Sequence, residues 1–188
     1  MNIFAEPRTM SRFSNGKVAL SIILTSESVF FATMLVAYIA LRNQASWPVE
    51  HTLVRLTIPL ANTAILLFSA IFASRGTVSI RDGKTSASQG WQMLTLLLGL
   101  VFVTIQIYEF GQNGMHINDE AFGGVFFTLM GFHGLHVLAG VGFLIINLAR
   151  TRLGDFSPTR YEAVELGTWF WYYVTVVWIV LFAALYLL

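Results

Sequence analysis

The stretch AFGGVFFTLMGFHGLHVLAGVGFLIINLA, Ala121–Ala149, runs for 29 positions without a charged residue. An α-helix needs about 20 apolar residues to cross a bilayer, so this run reads as a membrane span. At its centre sits GFHGLHV, Gly131–Val137, with two histidines and two glycines in seven residues. Ionisable groups inside a membrane are costly and rare, face other helices and often mark function. His133 and His136 are therefore the first candidates for a functional role.

On either side of this run the chain keeps the same character. Its 188 residues are 56% hydrophobic and 11% charged, against about 25% charged in an ordinary soluble domain. Mean hydropathy is +0.69. Further spans fall near Val18–Leu41, Leu53–Ala73, Trp91–Phe110 and Val164–Leu188, with the fourth near Phe122–Ala149. The expected fold is all-α: residues 1–188 as one membrane domain, an integral bundle of five transmembrane helices. Pro59 falls in the first turns of the second span, where a missing backbone donor is tolerated. The connections are Arg42–Glu50, Ser74–Gly90, Gly111–Glu120 and Arg150–Glu162. The absence of cysteine excludes disulfides, iron–sulfur clusters and thiolate metal sites. Met1–Gly16 is polar and leads into a full-length span, so no cleaved signal peptide is expected.

The basic residues are lopsided. Arg8, Arg12, Lys17, Arg75, Arg81, Lys84, Arg150, Arg152 and Arg160 lie in the N-terminal tail and the second and fourth connections, and only Arg42 and Arg55 lie on the other side. The positive-inside rule then puts the N-terminus in the cytoplasm and the C-terminus outside. The third connection, with Glu109, His116, Asp119 and Glu120, becomes an acidic external surface. It is either a solvated loop or a docking face for a basic partner such as a cytochrome c.

Glu27 sits in the first span, roughly 14 Å from its cytoplasmic end at 1.5 Å per residue. A carboxyl at that depth is neutral, paired or next to water; packing and proton handling are both open. His133 and His136, three apart, lie on neighbouring positions of one helix face. His136 is about 20 Å deep, close enough to Glu27's level for the two to meet if their helices adjoin. Gln106 and Glu109 near the outer end of the third span, Asn62 in the second, and Glu165 in the fifth are candidates for interhelical polar contacts. The fourth span also carries Gly123, Gly124, Gly131, Gly134, Gly140 and Gly142, which favour close helix packing. The fifth is aromatic, with Trp169, Trp171 and Trp178.

Heme held by two histidines needs a ligand on each side of the iron. His133 and His136 share one helix, and His51 and His116 fall in external connections, so this chain offers no such pair. A metal at the two histidines and Glu27 matches zinc or copper preferences but depends on ligands from separate helices meeting; no metal is expected. A transporter usually shows inverted repeats and broken helices, and neither is apparent.

Motifs on every span resemble one family. The first carries Ser26, Glu27, Phe30 and Phe31 as SExxFF. The second reads LANTAILLFS, Leu60–Ser69. The third has Trp91, Leu98-Gly99, Phe102, Gln106 and Glu109. The fourth has Phe126-Phe127, GFHGLHV and Gly140, and the fifth Glu165, Gly167, Trp169, Trp171, Val176-Val177 and Trp178. In this order they resemble subunit III of the heme-copper terminal oxidases, in its short five-helix bacterial form. One departure stands out. The family's fifth helix typically reads YWHFVDVVW, and here Phe170–Trp178 reads FWYYVTVVW. Tyr172 stands where histidine is usual and Thr175 where aspartate is usual, two positions three apart that are expected to share a face.

The resemblance implies a non-catalytic subunit with no heme or copper of its own. Its partners are subunit I, which holds the heme–copper centre, subunit II and other small subunits, together with membrane lipids and no nucleic acid. It implies a multi-pass protein of the bacterial cytoplasmic membrane in aerobic electron transport, one that stabilises subunit I, supports proton uptake and binds phospholipid in a cleft. Glu27, His133 and His136 match the family's buried glutamate and histidines. A hydrogen bond from Glu27 to His136 or His133 across the first and fourth helices is the expected centre of the site. An accessory protein of nitric oxide reductase or of a quinol oxidase is the neighbouring alternative, and an independent membrane transporter is the alternative of another class.

Overall fold

The computed structural model describes residues 14–42, 56–112 and 120–187. They form five long helices: α1 Asn15–Arg42, α2 Thr57–Arg81, α3 Thr85–Gln112, α4 Glu120–Arg152 and α5 Glu162–Phe182, the last continuing as a wider π-type turn, Ala183–Leu187. All five are long and apolar enough to cross a membrane, and the described residues contain no strand. Arg8, Arg12, His51, Arg55, His116 and Asp119 lie outside the described residues.

The helices outrun the apolar spans at the end that carries most of the basic residues. The connection expected over Ser74–Gly90 shrinks to Asp82–Lys84, because the small polar residues on either side stay helical. Ser88 Oγ donates to the Gly76 carbonyl at 2.7 Å, tying the base of α3 to α2. The turn closes on Gly83, whose φ of 77° is the left-handed conformation that glycine adopts without penalty. Gly83 N–H donates to Ile80 O and Lys84 N–H to Ser79 O, capping the last carbonyls of α2. The α4–α5 turn repeats the device at Gly154, φ 80°. Gly154 N–H donates to Thr151 O and Asp155 N–H to Arg150 O, with Arg150 Nε donating to Asp155 Oδ2 at 3.1 Å.

α5 is the most enclosed helix. It packs against α1, α2 and α4, while α3 lies against α2 and α4. Its two buried tryptophans settle the register. Trp171 Nε1 donates to Ser69 Oγ and Trp178 Nε1 to Thr63 Oγ1, each at 2.9 Å. Both indoles are fully buried, so each needs a partner for its N–H, and the α2 hydroxyls provide it. The Trp171 ring lies between Gly99 of α3 and Gly140 of α4, where an added Cβ would stand 2.7 and 2.8 Å from ring carbons. Among the α4 glycines whose surroundings are described, the expected close packing is thus a property of Gly140. Gly124, Gly131, Gly134 and Gly142 have nothing within 4 Å of a Cβ position; Gly131 and Gly134 instead open a groove toward α3.

α1 is the least enclosed. Only 11% of its most apolar window is buried within the chain, against 44% for α5. It lies along the junction of α4 and α5.

Candidate functional site

The polar contacts of α1 define the site. His136 on α4 is held from both sides of its ring. Nδ1 lies 2.7 Å from the carbonyl oxygen of Phe132, one turn earlier. A carbonyl oxygen only accepts, so Nδ1 carries the hydrogen. Nε2 lies 3.2 Å from Glu27 Oε2 on α1. With the Nδ1 hydrogen committed to the backbone, the contact can hold one further proton in two ways: a carboxylic acid donates to a neutral imidazole, or an imidazolium donates to a carboxylate. Both arrangements have no net charge. A lone charge at mid-membrane costs at least about 2.5 kcal/mol, and either sharing arrangement avoids that cost.

Aromatic rings close the pair in. Phe31 meets His136 edge-on at 5.1 Å, and Phe30 meets Phe132 at 4.9 Å. The side chains keep 18% exposure at His136 and 36% at Glu27. The pair therefore borders the outer surface of the bundle.

His133 does not turn toward Glu27. Three residues advance a helix by 300°, so its ring points 60° away from that of His136, across the ridge of α4 and into the core. It is 1% exposed, stacks on Trp178 at 5.2 Å, and meets Phe102 edge-on at 6.3 Å. Neither of its ring nitrogens has a hydrogen-bond partner within the chain.

Asn62 and Gln106 do come together between α2 and α3. Asn62 Nδ2 donates to Phe102 O at 3.3 Å and faces Gln106 Oε1 at 3.5 Å. Glu109 is also interior, 4% exposed, and this removes it from the acidic external surface expected of the third connection. Asn62 Oδ1, Gln106 Nε2 and Glu109 Oε2 have no partner within the chain. Glu165 lies at the opposite end, paired with Lys17 Nζ at 2.8 Å, while Ser14 Oγ donates to Glu162 Oε1. These contacts fasten the start of α1 to the start of α5. Among the described residues no three histidine, aspartate or glutamate side chains meet as a metal site.

The family model for cytochrome c oxidase subunit III matches residues 8–188. The chain belongs to the cytochrome c oxidase subunit III family. It is 34% identical to the probable cytochrome c oxidase subunit 3 of Nocardia farcinica over 183 residues, covering 95% of this chain and 90% of that protein. It is 34% identical to the cytochrome c oxidase subunit 3 of Thermostichus vulcanus, over 91% of this chain and 86% of that protein. The Synechocystis cytochrome c oxidase subunit 3 is 36% identical over 88% of this chain and 72% of its own length.

Within this subunit III family member, Tyr172 and Thr175 of the fifth helix, expected to share a face, part company. Tyr172 is 39% exposed, whereas Thr175 is 4% exposed and its hydroxyl donates to Trp171 O at 2.9 Å. The 60° between positions three apart straddles the edge of the packed face, so they do not share one surface. Thr175 is satisfied by its own helix.

Sequence reasoning missed a second polar layer in this subunit, at the end that carries Gly83 and Gly154. Gln92 Nε2 donates to Ser88 Oγ and Thr151 Oγ1, both at 3.0 Å. Asn147 Nδ2 donates to Ala163 O at 3.0 Å, and the Thr77 and Thr168 hydroxyls lie 2.8 Å apart. Together these contacts link α2, α3, α4 and α5. Gln92 and Asn147 within helix-forming runs were the available signal.

Proposed function

We propose that the chain serves as the non-catalytic subunit III of a bacterial oxidase of the cytochrome c type, with heme and copper carried by partner subunits I and II. Residues 1–188 act as one membrane domain in the cytoplasmic membrane, N-terminus inside, as the nine basic residues on one side support. The chain stabilises subunit I and supports proton uptake. The observation that carries the proton-handling part is the Glu27–His136 pair, Oε2 and Nε2 3.2 Å apart on an outward-facing side of the bundle. Such a pair accepts or releases a proton only when a neighbouring charge compensates, which suits a group lying against a proton-conducting partner. The apolar groove of about 180 Å³ between α3 and α4, lined by Phe102, Gln106, Met130, Gly131, Gly134 and Leu138, supports phospholipid acyl-chain binding.

Affinity purification of the tagged chain from its own membrane tests the assembly. The expected result is co-elution with a large heme-bearing subunit and oxygen-reducing activity. Elution alone, without heme absorption, would overturn it. For the proton-handling part, Glu27→Ala in the assembled oxidase is expected to lower proton uptake per turnover more than it lowers electron transfer; equal loss of both would sink it.

A further inference from the structure

Among the described residues, every buried side-chain nitrogen or oxygen without a partner belongs, the Tyr173 hydroxyl aside, to Asn62, Gln106, Glu109 or His133. These side chains come from α2, α3 and α4, and none of the four residues is more than 5% exposed. Phe102 and Trp178 join them. The Phe102 carbonyl accepts from Asn62 Nδ2, and the Phe102 ring meets His133 and Trp178 edge-on at 6.3 and 5.0 Å. Trp178 stacks on His133 and donates to Thr63, the neighbour of Asn62. Glu109 stands one turn beyond Gln106 on the same side of α3. The unpartnered atoms thus gather in one interior region of the bundle.

Their chemical types restrict what can satisfy them. A carbonyl only accepts, so Phe102 O fixes the Asn62 amide: Nδ2 faces it and Oδ1 is turned away. Gln106 Oε1 faces the same Nδ2 at 3.5 Å, which leaves Nε2 turned away. The remainder is an acceptor, Asn62 Oδ1, and a donor, Gln106 Nε2. His133 repeats the mixture, because a neutral imidazole has one nitrogen that donates and one that accepts. A cation serves only the acceptors and an anion only the donors. A ligand that both donates and accepts serves them all, and it must be small, because atoms this enclosed are out of reach of a side chain from another subunit. Open space is at hand: the groove between α3 and α4 runs past Phe102, Gln106, Met130 and Gly134. Leaving such groups unpaired in an apolar interior is costly, and a buried water making about three hydrogen bonds is the common remedy.

We infer that this interior is a binding site for ordered water, held by Asn62 Oδ1, Gln106 Nε2, Glu109 Oε2 and the ring nitrogens of His133. The site is separate from Glu27–His136, which borders the outer surface of the bundle, and it stands whatever the proton arrangement of that pair. His133 is then a water-bound histidine rather than an inert ring of the core. Asn62 and Gln106 join α2 to α3 through water as well as directly.

The test is X-ray radiolysis of the full-length chain in its own membrane. Radiolysis splits water into hydroxyl radicals, these oxidise the side chains beside which they form, and mass spectrometry locates the added oxygen. Trp171 is the internal control. It is as buried as Trp178, but its N–H is paired with Ser69 and its ring is wedged between Gly99 and Gly140. Trp178 and His133 are expected to be oxidised several-fold faster than Trp171. Equal rates overturn the inference, since bulk water admitted by a general opening of the bundle would reach both tryptophans. The double variant Asn62→Leu, Gln106→Met removes the polar anchors, and the excess oxidation at Trp178 is expected to fall to the level of Trp171. An excess that persists in a folded double variant overturns the inference as well. Should that variant fail to fold, the comparison of Trp178 with Trp171 in the unmutated chain decides alone.

Discussion

Trp171 donates its indole N–H to the Ser69 hydroxyl at 2.9 Å while the far side of its ring fills the space left by glycine on two other helices. One side chain of α5 thus sets the separation of α2, α3 and α4. Ser69 in turn donates to Leu66 O at 2.6 Å, so the contact is a relay from indole to hydroxyl to backbone.

The Trp171 slot gives a contrast between glycines of one helix. Gly140→Ala places a methyl 2.8 Å from the indole, and overpacking of this kind costs about 1–3 kcal/mol. Gly134→Ala meets nothing within 4 Å, and it is expected to stay within about 0.5 kcal/mol of the wild type. Thermal unfolding of the detergent-solubilised protein, followed by tryptophan fluorescence, measures the difference. Equal midpoints for the two variants would contradict the wedge.

Removing the acceptor rather than the space isolates the hydrogen bond. Ser69→Ala leaves the Trp171 N–H buried and unpaired, a loss of about 1–3 kcal/mol. Ser69→Thr keeps the hydroxyl and is expected to recover part of it. The same experiment at Thr63, partner of Trp178, is expected to behave alike, and the two losses should add, because the contacts share no atom. Denaturant titration of the single variants and of the double variant Ser69→Ala, Thr63→Ala checks this.

At Gly83 and Gly154 the backbone, not the packing, is decisive. An alanine in the left-handed conformation costs about 1–2 kcal/mol, whereas asparagine tolerates it better. Gly83→Ala is expected to lower stability more than Gly83→Asn, although a Cβ there meets only Pro158 at 3.6 Å. The Arg150–Asp155 pair at the second turn is half exposed, so Asp155→Asn is expected to cost under about 1 kcal/mol and less at high salt. Unfolding midpoints at low and high ionic strength read both.

The tautomer of His136 is a direct readout of the site. ¹⁵N solid-state NMR of histidine-labelled protein is expected to show Nδ1 protonated in the wild type and still protonated in Glu27→Gln, because the Phe132 carbonyl fixes it. Loss of the interhelical contact itself in Glu27→Ala is expected to cost about 0.6 kcal/mol, with about 1.7 as the upper end for membrane hydrogen bonds. A His136 resonance carrying its hydrogen on Nε2 alone would remove the basis of the shared-proton description.

The helices were legible because charge is absent over long runs, and a membrane leaves few alternatives to a helix there. The ends were not. Ser74–Gly90 looks like a loop by composition, yet Ser88 and Gln92 satisfy neighbouring helices and extend both α2 and α3 to a three-residue turn. Orientation around the helix axis was the second blind spot. Spacing of three put His133 with His136 and Tyr172 with Thr175, but a 60° difference decides between core and surface when a residue sits at the edge of a packed face. The glycines show a third limit: sequence marks where a helix is thin, and only the position of Trp171 tells which thin place is filled.

The separation of Glu27 from His136, 109 residues along the chain, has a consequence in time. At about 5–20 residues per second of synthesis, α1 enters the membrane roughly 5–20 s before α4 exists. For that interval the carboxyl has no His136 to meet. It waits as a protonated acid or in the hands of the insertion machinery, and α1, thinly enclosed, becomes part of the bundle only when the last two helices arrive. The final step of assembly in this subunit is therefore the capture of its first helix.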